Sequence, residues 1–407
     1  MQIAIIGGGA AGFFAAIKSR EFHPDAGVVI FEKSDQVLSK VKVSGGGRCN
    51  VTNGCETIPE LCSAYPRGGK ELRRVFLKFN NKDTIRWFES RGVHLVVQDD
   101  LRVFPETGDS QTIINCLVEE SKRLGILIRT GITVNGIRQS GEKLELSFAG
   151  NEYPQRVFDK VIVATGGSPQ RSGLEWLEKL GHKIVDPVPS LFSFNMPAER
   201  IKELTGVSAG PVFLKIQGTR LIAEGPLLIT HWGMSGPAVL KLSSFAARIL
   251  NQMDYKCKIQ VNWAHDLNNE TVFSYLAGMA EQYPNKMLAN FRPFGMPVRL
   301  WLYLLAKVDL AEKKIWAETG KKGINKLVHI LTNDVYQAEG RTTFREEFVT
   351  CGGVSLDSVD MSTMQSKAVK NLYFAGEILD IDAITGGFNL QAAWTTGYVC
   401  GMQSSEF

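Results

Sequence analysis

The stretch Val43–Asn53, VSGGGRCNVTN, sets three consecutive glycines beside an arginine, a cysteine, two asparagines and a threonine. Successive glycines leave backbone N–H groups open to a polar ligand, and Arg48, Asn50 and Thr52 add directed donors. Cys49 has two readings. It could act as a thiol with its pKa lowered beside Arg48, donating a proton to a substrate carbon, or it could be a small apolar filler. General acid work demands a geometry that sequence does not reveal, so packing is the expected role. A second candidate lies in Thr230–Pro237, THWGMSGP. His231 reads equally as a group on the substrate side of a cofactor and as a hydrogen-bonded core histidine or helix cap. Ser235-Gly236-Pro237 resembles a helix start. No Ser-His-Asp order or metal-ligand spacing occurs, and no metal is expected.

These groups need a ligand and a scaffold, and the N-terminus supplies both. Ile3–Ile6 is a short apolar run of the kind buried on both faces of a parallel sheet, and it leads into Gly7-Gly8-Gly9-Ala10-Ala11-Gly12. Gly7 permits a tight turn, Gly9 lets a pyrophosphate approach the backbone, and Gly12 lets the following helix pack closely on the strand. The unpaired N–H groups and positive end of that helix then face the phosphates. A second strand, Val28–Phe31, ends at Glu32, placed to accept hydrogen bonds from an adenosine ribose. An acid there disfavours a phosphorylated ribose, leaving FAD or NAD.

Two later segments favour FAD. From Gly131 the chain reads as hairpin strands with turn sites at Ser140-Gly141 and Gly150-Asn151, returning to a buried strand and Ala164-Thr165-Gly166-Gly167. Near the end, Leu372–Ala375 precedes Gly376-Glu377, and Gly386-Gly387-Phe388-Asn389-Leu390-Gln391 opens an alanine-rich helix. The N-terminus of such a helix can stabilise negative charge on a reduced flavin. A second dinucleotide fingerprint is absent, so NADH or NADPH is expected only as a transient visitor.

The pieces IIGGGAAG, SGGGRCNVTN, VFPE, VATGG, THWGMSGPAVL, VTCGGV and LYFAGEILDIDAITGGFNLQAAW together resemble the BaiN/YhiN-like family of FAD-dependent flavoproteins, over nearly the whole chain. The resemblance implies a glutathione-reductase-like FAD-binding Rossmann domain of α/β class. It implies an oxidoreductase activity within a range that includes steroid reduction, aminoacetone oxidation and dihydrouridine formation in ribosomal RNA. It places Gly7, Gly9, Ala10, Ala11, Gly12, Glu32 and Lys33 around the adenosine and pyrophosphate, with Lys40 or Lys42 neutralising phosphate. Ser44, Gly45, Gly46, Gly47, Arg48, Cys49, Asn50 and Thr52 would wrap the pyrophosphate, ribityl chain and flavin ring. Thr165, Gly166 and Gly167 would lie on the adenine side, and Gly376, Glu377, Asp382, Gly386, Gly387, Asn389, Leu390 and Gln391 on the flavin side. In two-part FAD folds the usual pair after such a strand is Gly-Asp, and Gly376-Glu377 departs from it.

The chain has 407 residues, a formal net charge of +4 and seven cysteines without a C-x-x-C pair. That fits neither a disulfide framework nor a strongly basic nucleic-acid binder, and points to a reducing cytoplasm. No apolar run reaches the roughly 18 residues of a membrane span. Residues 1–189 and 346–407 are expected to form a discontinuous FAD domain. Residues 190–264 read as an inserted β-rich subdomain and residues 265–345 as a helical one. Arg67, Lys70, Arg73, Arg74, Lys78 and Lys82 form a basic run with Phe76 and Phe79 interleaved. Such runs are usually solvated helix faces, yet this one follows the flavin loop, where an RNA backbone could bind. The leading expectation is NAD(P)H-driven reduction of uridine in ribosomal RNA. The rivals are reduction or oxidation of a small molecule, and a non-catalytic FAD-stabilised RNA-binding or redox-sensing module.

Overall fold

The computed structural model describes residues 1–150, 153–342 and 349–402. The chain forms two compact units, Met1–Ser190 with Phe344–Phe407, and Leu191–Thr343.

In the first unit the elements that matter for the site are β1 (Gln2–Ile6), α1 (Ala10–Phe22), β2 (Gly27–Phe31), α2 (Ser39–Val43), α3 (Gly69–Phe76), β3 (Leu127–Arg129), β4 (Lys160–Val163), β5 (Leu372–Phe374) and α4 (Phe388–Met402). The strands lie in the order β5-β4-β1-β2-β3, all parallel, and a short antiparallel hairpin extends the β5 edge. Ile5 in the central strand faces Ile162 on one side and Ile30 on the other, and all three are fully buried. A strand covered on both faces has no solvent side to make polar, so its apolar run is continuous rather than alternating. The antiparallel strands Val134–Ser140, Lys143–Phe148 and Arg156–Phe158 form a separate meander. Gly141 adopts φ +62° in its first turn, and Leu144, Leu146 and Phe148 alternate into the core. In the second expected turn, Asn151 lies outside the described residues.

The second unit is one antiparallel seven-stranded sheet with helices Pro237–Gln252, Asn269–Gln282, Val298–Lys307 and Trp316–Thr332. Leu214 and Ile259 from the sheet share a single apolar core with Leu276, Trp301 and Leu327 from the helices. The expected division at 264/265 into β-rich and helical subdomains therefore does not describe this unit. Asp334–Glu339, read from sequence within the helical part, pairs antiparallel along Lys256–Asn262. Periodicity locates a helix but does not say which sheet its apolar face covers. A buried polar cluster adds to the joint: Asp334 accepts from Lys307 at 2.5 Å, from Trp263 at 2.9 Å and from the Tyr336 hydroxyl. Burial raises the Asp334 carboxyl pKa against the pull of Lys307. The expected boundary at 345/346 lies outside the described residues.

Candidate functional site

The glycine turn after β1 divides its residues by role. Gly7 has φ +111°, and a Cβ there would lie 2.3 Å from the Ala164 carbonyl oxygen. A Cβ at Gly12 would lie 2.0 Å from the Gly7 carbonyl oxygen, so these two glycines are demanded by the fold itself. Gly9 is different. Its backbone is extended (φ −92°, ψ −170°), and nothing lies within 4 Å of where its Cβ would be. It opens α1 without a side-chain cap, leaving the N–H groups of the first turn available. At the end of β2, Glu32 accepts the Gly8 N–H at 2.7 Å through one oxygen. Its other oxygen accepts from Ser34, the N–H at 2.9 Å and the hydroxyl at 2.7 Å. Lys33 beside it is exposed.

The loop that follows α2 holds Gly45, Gly46 and Gly47 at φ +59°, +69° and +85°. Positions 46 and 47 have open space where a side chain would be, which keeps the backbone accessible. The Gly47 carbonyl accepts the Ser110 N–H at 2.9 Å, and the Ser110 hydroxyl donates to the Lys42 carbonyl at 2.8 Å, so the loop is anchored to the helix Ser110–Arg123. Arg48 lies over Phe104 at 4.2 Å. Cys49 turns the other way. It is fully buried in the apolar core at φ +60°, and burial pushes its thiol up to about 12. A thiol with that pKa and no exposed surface is neither an activated thiolate nor a donor facing a substrate; the geometry supports packing.

This loop and the C-terminal segment are stitched together across the chain. The Thr52 and Thr84 hydroxyls donate to Gln391 Oε1 at 2.5 and 2.9 Å, and Gln391 Nε2 donates to Thr395 at 2.9 Å. Trp394 donates to the Val51 carbonyl at 2.9 Å and Asn53 to that of Gly386 at 3.2 Å. With its amide turned so that the nitrogen donates to the Thr52 carbonyl, Asn50 accepts the Gly387 N–H at 3.0 Å.

Several residues expected at the cofactor thus have their polar atoms spent elsewhere. Gln391 and Thr52 are buried and bonded to each other. The Asn389 amide clamps both backbone groups of Ala383, at 3.0 and 3.1 Å. Asp382 is fully buried, ion-paired with Arg67 and accepting the Ser190 hydroxyl at 2.8 Å. They position the loop ahead of α4 rather than presenting groups to a ligand. Burial raises the Asp382 carboxyl pKa, and Arg67 opposes that shift. Arg67 accordingly leaves the basic run. Lys70, Arg73, Arg74, Lys78 and Lys82 are exposed, while Phe76 and Phe79 are core residues. Sequence reasoning had no way to find the Arg67–Asp382 pair, whose members are 315 positions apart.

The structure does bring Glu377 to the glycine turns. Its carboxylate accepts from Lys40 at 2.6 Å and from the Thr350 N–H at 2.8 Å. Thr350, which sequence reasoning missed, also leaves a buried hydroxyl without a partner. Thr165 is exposed, and Gly166 has φ +76° with open space at its Cβ position. In the other unit His231 is exposed, with its ring edge-on to Trp232 at 4.3 Å. It is not a core histidine, and it does not cap the helix at Pro237, whose N-cap is Gly236.

The family model described as HI0933-like protein Rossmann domain matches residues 1–403. The chain belongs to this family. It is 28% identical over 414 residues to a 3-dehydro-bile acid delta(4,6)-reductase of Clostridium scindens, covering 100% of this chain and 99% of the relative. It is also 28% identical over 415 residues to a ribosomal RNA dihydrouridine synthase of Haemophilus influenzae, covering 99% and 98%. The Escherichia coli protein of the same name matches at 28%, covering 97% and 96%. Among solved structures, an E. coli quinol fumarate reductase chain shares the fold at a TM-score of 0.51 and 14% identity, covering 99% of this chain and 70% of that one. This HI0933-like chain is an FAD-dependent oxidoreductase.

The residues present fit FAD. An uncapped helix N-terminus and the open Gly9 suit a pyrophosphate, and Glu32 suits a ribose hydroxyl. The open backbone at Gly46, Gly47 and Gly166 leaves room for the remainder, and the unpartnered Thr350 hydroxyl is a spare donor close by. When bound, FAD would supply hydride-transfer chemistry, and the chain's part would be to bind and orient it through the Gly9 turn, Glu32 and the open backbone at Gly46, Gly47 and Gly166.

Proposed function

We propose that this oxidoreductase reduces the C5=C6 bond of a uridine in ribosomal RNA. NADH or NADPH gives up a hydride equivalent, solvent supplies a proton, and the nicotinamide leaves oxidised. The observation that carries this reading is the end-to-end match to two proteins named ribosomal RNA dihydrouridine synthase. The exposed cations of α3 and the turn after it agree with an RNA partner: Lys70, Arg73 and Arg74 lie outward while Leu72, Val75 and Phe76 are buried. Among the described residues no helix is long and apolar enough to cross a membrane.

A second reading rests on the bile acid reductase, which matches at the same identity over the whole chain. A 3-keto enone and a uracil share one feature, a carbon–carbon double bond polarised by a carbonyl. The test is to map dihydrouridine in ribosomal RNA from cells with and without the gene. Purified protein is then given NADPH or NADH with that RNA or with a 3-keto steroid enone. Loss of a specific dihydrouridine, with nicotinamide oxidation only in the presence of RNA, supports the first reading. An unchanged RNA with turnover of the enone supports the second.

A further inference from the structure

Parallel partners in register share a face of their sheet, so Val29 with Leu127 and Phe31 with Arg129 stand on one side of β2 and β3. The meander covers that side, since the Phe31 ring lies 5.0 Å from that of Phe148 and 6.0 Å from that of Phe158. The cover is incomplete. Phe31 is 1% exposed, whereas Leu127 on the edge strand is 54% exposed. Where the sheet edge and the meander part, they leave a pocket of about 150 Å³ walled by Val29, Leu127, Tyr153 and Phe158, with Arg129 and Arg156 completing its lining. The Gln2 amide, whose oxygen and nitrogen would lie 2.5 and 2.6 Å from a Cβ at Gly27, closes it at the start of β1 and β2. None of Gly7 to Gly12, Glu32 or Gly166 lines this pocket, so it is separate from the glycine turns.

The two arginines say what would enter. Nearby on the meander, Arg138 is paired with Glu145, and Lys143 with Asp159 at 2.9 Å. Among the described residues neither Arg129 nor Arg156 has an acidic partner, and Arg156 lies instead over the Tyr153 ring at 5.6 Å. Two unpaired cations at one small pocket favour an anion between them. A guanidinium fork matches a carboxylate, and aromatic walls favour a flat apolar body. An apolar cavity of about 150 Å³ takes a single benzene ring.

We propose that this pocket binds a small aromatic carboxylate, its ring against Val29, Leu127 and Tyr153 and its charge held by Arg129 and Arg156. Such a ligand joins the edge of the parallel sheet to the meander, at a site apart from the redox chemistry.

The test titrates the flavin-loaded, full-length protein with benzoate, by ligand-observed NMR and calorimetry. Saturable binding with a Kd of about 1 mM or tighter is expected, with the flavin absorbance spectrum unchanged. Arg129→Met and Arg156→Met, both at exposed positions, should each weaken benzoate about tenfold, the scale of one charge-assisted contact, and leave flavin content at the wild-type level. Arg74→Met on α3 should leave benzoate affinity unmoved. Benzyl alcohol, which keeps the ring without the charge, and inorganic phosphate, which keeps the charge without the ring, should each bind about tenfold more weakly than benzoate. No saturable binding up to about 10 mM benzoate, or either control ligand binding as tightly as benzoate, overturns the proposal. Benzoate binding that shifts the flavin spectrum and ignores both arginine variants also overturns it, by placing the ligand at the flavin. Should an arginine variant fail to fold, Leu127→Trp fills the pocket from an exposed position, and benzoate affinity equal to wild type in that variant overturns the proposal as well.

Discussion

Replacing Gly9 by valine separates the ligand from the fold. Gly9 has an extended backbone that a β-branched residue adopts readily, with nothing within 4 Å of its Cβ position. The apoprotein should be as stable as wild type, or gain about 0.4–1 kcal/mol because the unfolded chain loses freedom. The isopropyl group would occupy the space a pyrophosphate needs to reach the first-turn N–H groups of α1. Losing two charge-assisted hydrogen bonds at about 1.5–3 kcal/mol each costs roughly 3–6 kcal/mol, a Kd raised by about 10²- to 10⁴-fold. Gly12→Ala is the contrast, because its Cβ would sit 2.0 Å from the Gly7 carbonyl and the backbone must move. That substitution should lose about 1–3 kcal/mol or more of stability, and FAD along with it. The assays are thermal unfolding of the stripped proteins and fluorescence titration with FAD. A Gly9→Val protein that folds normally and binds FAD within threefold of wild type would refute the placement of the phosphate.

Cys49→Ala should keep FAD and most turnover; a fall in substrate reduction of roughly 10²-fold with intact flavin reduction would restore the thiol as acid. Because burial raises the folded Cys49 thiol to about 12 from an ordinary value near 9, its contribution to stability is complete below about 9. It is lost as pH climbs toward about 12, so alkaline unfolding should shift to higher pH in Cys49→Ala. Arg67→Met leaves Asp382 buried and unpaired and should cost about 3–5 kcal/mol, read by denaturant unfolding. Replacing exposed Arg73 and Arg74 by alanine should leave stability within about 0.5 kcal/mol. It should weaken RNA binding and lower the slope of log K against log salt by roughly 1 for each phosphate no longer neutralised, while an unmoved slope makes α3 a plain solvated face. Gln391→Leu removes the acceptor of the buried Thr52 hydroxyl, while Thr84 keeps the Asn80 carbonyl, and should cost about 1–3 kcal/mol by the same unfolding measurement.

The sequence by itself determined what depends on local order. The apolar run Ile3–Ile6, the spacing of Gly7, Gly9 and Gly12, and the acid ending the second strand are consequences of a short strand–turn–helix. Its constraints act within about thirty residues, so the Rossmann unit and its nucleotide were legible. The glycine run at 45–47 was legible as an open loop for the same reason; the structure adds that all three take positive φ, which no other residue adopts at so little cost. Tertiary structure decided the rest. It divided residues of one apparent motif by where their side chains end up: Arg48 over Phe104, Cys49 in the core, Thr52 bonded to Gln391. It withdrew Arg67 from a basic face to neutralise Asp382, and merged two composition-defined subdomains by adding Asp334–Glu339 to a sheet begun more than a hundred residues earlier. It set Lys40 against Glu377, 337 positions away. Each of these depends on which distant partner satisfies a buried or charged group, and a linear pattern carries the need for a partner without its address.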